Sequence, residues 1–215
     1  MIIGIVSQKG GVGKSTLTRL IAREYAVNSW IVKIADMDSK QGTSTRWNML
    51  RNEHQVEPIV KVEQYRSVND AVSDYNKGDF HLLIFDGAPA ASKETLSIAK
   101  HSDLLILPTG ISSDDLEPTV RLAHELVKNG IQHKQIIIVF CRVGDSLTEI
   151  EEARNYISMA GYFAIDSSLS ERVAYRRAQD SGRSVTETTF GSLNKKAALV
   201  AQEIVNFSTL LRFGK

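Results

Sequence analysis

The chain has 215 residues, 42% of them hydrophobic and 24% charged, with a formal net charge of +1 at pH 7. This composition is typical of one globular domain, and the near-neutral charge excludes a bulk attraction to nucleic acid or anionic membranes. The single cysteine excludes an intramolecular disulfide framework, and no apolar run reaches the ~18–20 residues of a membrane span. We therefore predict a single cytoplasmic domain over residues 1–215.

Short apolar runs alternate with helical patterns along the chain. The runs that we predict to be strands are residues 2–6, 31–35, 58–62, 80–85, 103–107 and 135–141, with a weaker one at 162–165. Between and after them, apolar residues recur at helical spacing over 17–25, 116–127 and 193–211. This alternation predicts a doubly wound α/β fold with a mostly parallel sheet flanked by helices. Ligands bind such sheets at the carboxyl ends of the strands, so the residues after each run are candidates for a site.

A glycine-rich loop, SQKGGVGKST, follows the first run at residues 7–16. Its end, Gly13-Lys14-Ser15, matches the phosphate-loop pattern G-x-x-x-x-G-K-[ST], although Gln8 stands where that pattern begins with glycine. Glycines let several backbone N–H groups converge on a phosphate, and the following helix adds its positive N-terminal end. We expect Lys14 to contact the β- and γ-phosphates and the Ser15 hydroxyl to bind Mg²⁺.

Carboxylates follow the second and fourth runs. Asp36 and Asp38 lie two residues apart, so at an extended strand end they point the same way. Carboxylates at this place can bind a metal-bound water or orient an attacking water. The alternative for each is that it caps a helix or stabilises a turn. Asp86 ends the run LLIF as in a Walker B pattern, where a carboxylate supports the Mg²⁺ shell. After the fifth run, residues 112–115 either line the pocket or cap a helix.

These motifs together resemble the ParA/MinD family of P-loop NTPases with a deviant Walker A loop, KGGxxGK[ST], here Lys9 to Ser15. The other stretches that carry the resemblance are Asp36, Asp38, Gln41, Gly42 and Trp47, then Asp86-Gly87-Ala88-Pro89, and Pro108 with Asp115-Leu116. Residues 170–187, SERVAYRRAQDSGRSVTE, are most similar to small plasmid-partition ParA proteins of the ParF type. One departure is Ser39, where the family usually has proline.

The resemblance implies a slow, partner-stimulated ATPase with ATP and Mg²⁺ as cofactors. It identifies Lys9 as the signature lysine, which crosses a dimer interface to the other chain's nucleotide, so ATP binding would create a homodimer. Lys9, Lys14 and Asp38 would be catalytic, Asp38 by orienting the attacking water. Ser15, Asp36 and Asp86 would hold or support Mg²⁺. The residues expected to bind the nucleotide are Lys9, Gly10, Gly11, Val12, Gly13, Lys14, Ser15 and Thr16.

Family members differ in what the ATP-bound dimer binds. Arg172, Arg176 and Arg177 cluster on a predicted helix, which favours non-specific DNA binding with strong salt dependence, although a solvated helix face is the alternative. The polar face of the last helix has few basic residues, which argues against a membrane anchor. We expect a nucleoid-associated partition or positioning ATPase with a ParB-like or small DNA-binding adaptor. The alternatives are a MinD-like membrane-cycling regulator and a P-loop metabolic ligase or kinase.

Overall fold

The computed structural model describes residues 1–89 and 93–213, and its strands form one parallel sheet. The strands of this described part are β1 (Ile2–Ser7), β2 (Val32–Asp36), β3 (Lys61–Gln64), β4 (Leu82–Pro89), β5 (Leu104–Thr109), β6 (Ile136–Val143), β7 (Phe163–Ala164) and β8 (Leu169–Ser170). Their order is β3-β2-β4-β1-β5-β6-β7, and β8 pairs with the end of β6. The strand order reverses beside β1, which places the loop after β1 at a topological switch point.

Helices cover both faces of the sheet. Their bounds are α1 (Lys14–Val27), α2 (Thr43–Glu53), α3 (Val68–Lys77), α4 (Lys93–His101), α5 (Ser113–Lys128), α6 (Leu147–Met159), α7 (Val173–Asp180) and α8 (Gly191–Phe213). One apolar cluster joins the sheet to α1, α2, α7 and α8, and a second joins its other face to α3, α4, α5 and α6. Neighbouring strand residues belong to opposite clusters, as Ile84 and Phe85 do, because successive side chains of a strand point to opposite faces.

The predicted doubly wound α/β fold is confirmed, with one displaced strand and one that the pattern missed. The predicted strand 58–62 starts three residues before β3. The apolar run includes Val60, which is buried but precedes the strand, whereas β3 itself is an edge strand with mostly exposed residues. The weak run at 162–165 contains β7, but β8 has only two residues and no apolar run of its own. No helix within the described residues is both long and apolar enough to cross a bilayer.

Candidate nucleotide-binding site

A cavity of about 360 Å³ lies at the carboxyl end of the sheet, where the loops after β1 and β2 meet the ends of β4, β6 and β8. The predicted nucleotide-binding residues that line it are Gly10, Gly11, Gly13, Lys14, Ser15 and Thr16. Asp38 and Asp86 line it as well, and α7 borders the cavity. Lys9, Val12 and Asp36 lie outside this lining. The fold therefore brings most of the predicted site residues to one place.

The loop between β1 and α1 adopts a conformation that only glycine allows without strain. Gly13 has φ of +102°, and a Cβ there would lie 2.9 Å from the Cβ of Cys141 on β6. The chain can therefore turn directly into α1, whose N-terminal end faces the cavity. This is the strand–loop–helix context that the phosphate-loop pattern requires.

Lys14 places a nearly buried ammonium in the cavity. Its Nζ donates a hydrogen bond to the Lys9 carbonyl oxygen at 3.0 Å. Burial lowers the pKa of Lys14, and the nearby carboxylates of Asp86 and Asp38 oppose that shift. A cation that has lost water and donates to a neutral carbonyl oxygen is well placed to gain a phosphate.

Asp86 carries the strongest structural indication of a metal site. Its Oδ2 accepts a hydrogen bond from Ser44 Oγ at 2.6 Å, but its buried Oδ1 has no hydrogen-bond partner among the described residues. Burial raises the pKa of Asp86, and the nearby hydroxyls of Ser44 and Ser15 oppose that shift. A cation beside Oδ1 would satisfy this oxygen, so the residues present fit Mg²⁺.

The protein oxygens at this position suit Mg²⁺ bound largely through phosphate and water. Within residues 1–89 and 93–213, no group of three or more His, Cys, Asp or Glu side chains is arranged to hold a metal. Ser15 lines the cavity together with Asp86 and Thr43. Mg²⁺ usually keeps several waters and binds proteins through few groups plus substrate phosphates, which matches such a sparse set.

Asp36 is fully buried behind the cavity, where both of its carboxylate oxygens bind α2 or the loop before it. Oδ2 accepts hydrogen bonds from the backbone N–H and the hydroxyl of Thr45, both at 2.9 Å, and Oδ1 accepts from the Asp38 N–H at 3.2 Å. Asp36 also pairs in register with Asp86 on the neighbouring strand. Asp36 therefore caps the first turn of α2, as the alternative interpretation predicts, and it could support Mg²⁺ only indirectly.

Asp38 faces the cavity from the loop before α2. Its Oδ1 accepts hydrogen bonds from the N–H groups of Lys40 and Gln41 at 3.2 and 3.1 Å. These bonds fix the carboxylate at the edge of the site, where it lines the same cavity as the phosphate loop.

The first turn of α2 supplies three hydroxyls that the sequence patterns did not single out. Thr43 Oγ1 lies 2.9 Å from Ser15 Oγ, and the next two residues, Ser44 and Thr45, hold the two buried carboxylates described above. Gly42 precedes them with φ of +54°. The run of three hydroxyl residues after a glycine, GTST, is the signal that could have identified them.

Lys9 turns away from the cavity and binds the first turn of α5. Its Nζ lies 2.6 Å from Asp115 Oδ1 and donates to the Asp114 carbonyl oxygen at 2.7 Å. The Lys9 side chain remains 38% exposed. The two lysines of the loop therefore have different surroundings, one inside the cavity and one outside it.

The three predicted DNA-binding arginines are divided between the cavity and the surface. Arg172 is the residue before α7 rather than part of the helix, which corrects the prediction that all three lie on it. Arg172 forms an ion pair with Asp145, and both Arg172 and Arg176 line the cavity. Arg177 is exposed one residue further along α7.

Arg142 links β6 to the phosphate loop and to α7. It has φ of +58°, and its Nη1 donates to the Gly11 carbonyl oxygen at 2.9 Å. Its Nε binds Glu171 at 2.9 Å, and Glu171 also binds Arg176 at 3.2 Å. The rim of the cavity is thus a connected set of charged groups.

Comparison with known proteins gives one family and several similar structures. The family model described as CobQ/CobB/MinD/ParA nucleotide binding domain matches residues 3–185. No curated protein sequence matches the chain.

Solved structures are similar over nearly the whole chain. The MinD cell division protein of Aquifex aeolicus has a TM-score of 0.74 at 15% identity, covering 95% of this chain and 96% of that one. An ATP complex of Cyanothece McdA has a TM-score of 0.68 at 17% identity, covering 95% and 96%. A putative plasmid partition protein of Borrelia burgdorferi bound to AMPPNP has a TM-score of 0.66 at 16% identity, covering 94% and 98%. Identities this low are evidence of a common fold.

Proposed function

The chain belongs to the family of CobQ/CobB/MinD/ParA nucleotide-binding domains, and we propose that it is a partition ATPase controlled by ATP-dependent pairing of two copies. In this proposal the ATP-bound dimer binds DNA without sequence preference, and partner-stimulated hydrolysis of ATP separates the copies. The observation that carries the proposal is the contrast between Lys14 inside the cavity and Lys9 outside it. In this proposal each lysine has a separate role, Lys14 toward the chain's own nucleotide and Lys9 toward the partner's.

The residues of the cavity have distinct proposed roles toward ATP. The triphosphate would lie on the backbone N–H groups of residues 10–16, with Lys14 neutralising part of its charge. Ser15 and Asp86 would hold Mg²⁺, which supplies further neutralisation of the phosphates. Asp38 would orient the attacking water. Asp36 would act on the site through α2, whose first turn it holds.

Lys9 is proposed to bind the phosphates of the partner's ATP. Lys9→Ala should therefore leave ATP affinity nearly unchanged and abolish dimerisation with a non-hydrolysable ATP analogue, measured by light scattering after size-exclusion chromatography. Lys100→Ala is the control, since Lys100 is an exposed lysine on α4. Dimers that persist in the Lys9 variant would contradict the crossing lysine.

DNA binding is proposed for the surface around α7. Arg177 is exposed and outside the cavity lining, so its substitution separates DNA binding from nucleotide binding. Arg177→Ala should weaken DNA binding and reduce the slope of log affinity against log salt by about one unit for each DNA phosphate that the arginine no longer neutralises. Arg121→Ala, at an exposed arginine on α5, is the control with the same charge change.

Variants of Arg172 and Arg176 need a measurement of nucleotide affinity beside that of DNA affinity, because both residues line the cavity. DNA phosphates would have to replace Asp145 and Glu171 as their counter-ions. A double alanine variant that loses DNA affinity but keeps nucleotide affinity supports the patch. If DNA binding is unchanged in this variant and in the Arg177 variant, the DNA surface lies elsewhere.

Membrane cycling is the second candidate function. It is favoured by the similarity to MinD structures and by exposed Leu199 and Leu210 on α8. Co-sedimentation of the ATP-bound protein with DNA but not with anionic liposomes supports partition, and the reverse result supports membrane cycling. A metabolic ligase or kinase is the third candidate, and its turnover would depend on a second substrate.

A further inference from the structure

We propose that Gln179 is a specificity-determining residue whose side-chain amide donates a hydrogen bond to a ribose hydroxyl of the bound nucleotide, and that Arg19 is the positioning residue that orients this amide. The inference rests on the part of the proposed function that puts a nucleotide in the cavity. It is independent of whether two copies pair and of whether the protein binds DNA.

Gln179 presents a hydrogen-bond donor at the cavity from the last turn of α7. Its side-chain Oε1 accepts a hydrogen bond from Arg19 Nη1 at 3.0 Å, and Gln179 lines the cavity whereas Arg19 does not. A guanidinium has donors only, so the amide oxygen must face it. The NH₂ group, on the other arm of the planar amide, is then the part of Gln179 that can donate to a ligand.

Arg19 occupies a buried position in which its own hydrogen-bonding capacity is not satisfied. The residue is 9% exposed, its guanidinium lies 5.7 Å from the ring centroid of Trp47, and its Nε has no hydrogen-bond partner among the described residues. Burial lowers the pKa of Arg19, and the nearby carboxylates of Asp86 and Asp36 oppose that shift. Its side-chain hydrogen bond goes to Gln179 instead. Because a buried donor without an acceptor destabilises a fold, stability alone does not account for this arginine.

One face of α7 and the residue before the helix line the cavity. Arg172, Tyr175, Arg176 and Gln179 form this lining at a spacing of three or four residues. The two arginines are paired with carboxylates, and Tyr175 Oη donates to the Leu193 carbonyl oxygen at 2.9 Å. The NH₂ group of Gln179 has no acceptor within the described part of the chain, so it is the neutral donor that this face offers to a ligand.

The position and the chemistry of the amide select the ribose among the parts of a nucleotide. Arg19 lies one turn after Thr16 on α1, and Thr16 lines the cavity at the end of the phosphate loop. An amide bound to Arg19 is therefore near the phosphate end of the cavity, where the ribose follows the phosphates. A neutral N–H donor suits a hydroxyl oxygen, whereas phosphate oxygens are bound more strongly by the charged Lys14 and by the helix N-terminus.

The test compares Gln179→Leu with Gln202→Leu, the same change at an exposed glutamine on α8 outside the cavity lining. Calorimetric titrations with ADP, 2′-deoxy-ADP, 3′-deoxy-ADP and GDP, each with Mg²⁺, give the dissociation constants for the wild type and both variants. Diphosphates are chosen because binding is then measured without hydrolysis and without the proposed pairing through ATP.

We expect the wild type and Gln202→Leu to bind ADP roughly 2- to 12-fold more tightly than one of the two deoxynucleotides, the range of one neutral hydrogen bond. Gln179→Leu should bind ADP as weakly as it binds that deoxynucleotide, and its ratio of GDP to ADP affinity should match the wild type. A wild type that does not distinguish ADP from either deoxynucleotide would overturn the inference. A Gln179 variant that keeps the discrimination, or that changes the GDP to ADP ratio instead, would overturn it as well.

Arg19→Met tests the positioning role, because methionine still packs on Trp47 but cannot bind the amide oxygen. This variant should also lose the ribose discrimination, and the double variant Arg19→Met/Gln179→Leu should bind ADP no more weakly than Gln179→Leu alone. If Arg19→Met does not fold, Arg19→Lys keeps the charge beside the buried carboxylates, and its nitrogen ends one atom short of Nη1, so it should lose the discrimination too.

The discrimination separates positioning from a purely structural role. A structural role for Arg19 would change the midpoint of urea unfolding and leave the ratio of ADP to deoxynucleotide affinity at its wild-type value, and that result would overturn the role given to Arg19. A wild type that binds no nucleotide at all would overturn the proposed function and this inference with it, an outcome distinct from nucleotide binding without ribose discrimination.

Discussion

Asp86→Asn should make the nucleotide-free protein more stable while it removes the effect of Mg²⁺. The wild-type carboxylate is 3% exposed, accepts a hydrogen bond from Ser44 and leaves Oδ1 without a partner among the described residues. An asparagine of the same shape keeps an oxygen for Ser44 and removes the buried charge. The substitution would therefore stabilise the fold and abolish metal binding at the same position. This trade-off is expected when a buried carboxylate destabilises the fold but is needed to bind a cation.

The expected gain follows from removing the charge on Oδ1, because the asparagine amide nitrogen that takes its place also has no hydrogen-bond partner among the described residues. A buried polar atom without a hydrogen bond costs about 1–3 kcal/mol, and more when it is charged. Against this gain stands the lost attraction to the buried Arg19 guanidinium, which helps to offset the effect of burial on the pKa of Asp86. We therefore expect the free energy of unfolding to rise by about 1 kcal/mol, near the lower end of that range.

The assay is urea unfolding followed by circular dichroism, with and without nucleotide and Mg²⁺. At a ligand concentration 100 times its dissociation constant, a bound ligand stabilises a protein by about 2.7 kcal/mol. The wild type should gain additional stability when Mg²⁺ accompanies an ATP analogue, and Asp86→Asn should gain none. Asp79→Asn, at an exposed aspartate before β4, should stay within about 0.5 kcal/mol of the wild type in every condition.

Two outcomes would contradict the role given to Asp86. A nucleotide-free Asp86→Asn protein less stable than the wild type by more than about 1 kcal/mol would mean that Arg19 and its neighbours already compensate the carboxylate. A Mg²⁺-dependent gain that survives in the variant would mean that Asp86 does not support the metal.

Three further substitutions test the surroundings of the site. Asp36→Ala should lower the free energy of unfolding by about 2–4 kcal/mol, because Thr45 loses two bonds to a buried carboxylate; a decrease below about 1 kcal/mol in urea unfolding would contradict the capping role. Gly13→Ala should abolish nucleotide binding in a calorimetric titration, since φ of +102° and the neighbouring β6 side chain leave no room for a Cβ; retained affinity would exclude this loop geometry. Burial alone would raise the pKa of Glu187, but the hydrogen bonds from Arg51 and a backbone N–H keep it below its usual value, so its contribution to stability is present above the unfolded pKa and is lost as pH falls through the folded one. Glu187→Gln should therefore cost about 3 kcal/mol at pH 7 and progressively less below about pH 4, and a cost that is independent of pH would contradict the ion pair.

The sequence predicts the parts of the site that depend on local pattern. The glycine loop is recognisable because strand, turn and helix follow one another within residues 2–27, and Asp86 because a buried strand precedes it. The contacts of Lys9 are different, since they join residues more than one hundred positions apart and no periodicity marks Asp115 as their partner. The position of the edge strand β3 was also predicted wrongly, because its exposed residues form no apolar run that would mark it in the sequence.

The charges around the cavity explain how a chain with a net charge of only +1 could bind both a triphosphate and DNA. Five cations in and around the cavity, four of them assigned to a phosphate, already have an acceptor within the chain, a carbonyl oxygen or a carboxylate. These pairs are Lys14 with the Lys9 carbonyl, Lys9 with Asp115, Arg142 with Glu171 and the Gly11 carbonyl, Arg172 with Asp145, and Arg176 with Glu171. At the four assigned positions, binding would then replace an internal acceptor by an external phosphate, so the affinity depends on the difference between the two. It follows that removing an internal carboxylate should strengthen phosphate binding, whereas adding a lysine elsewhere on the surface should change it little.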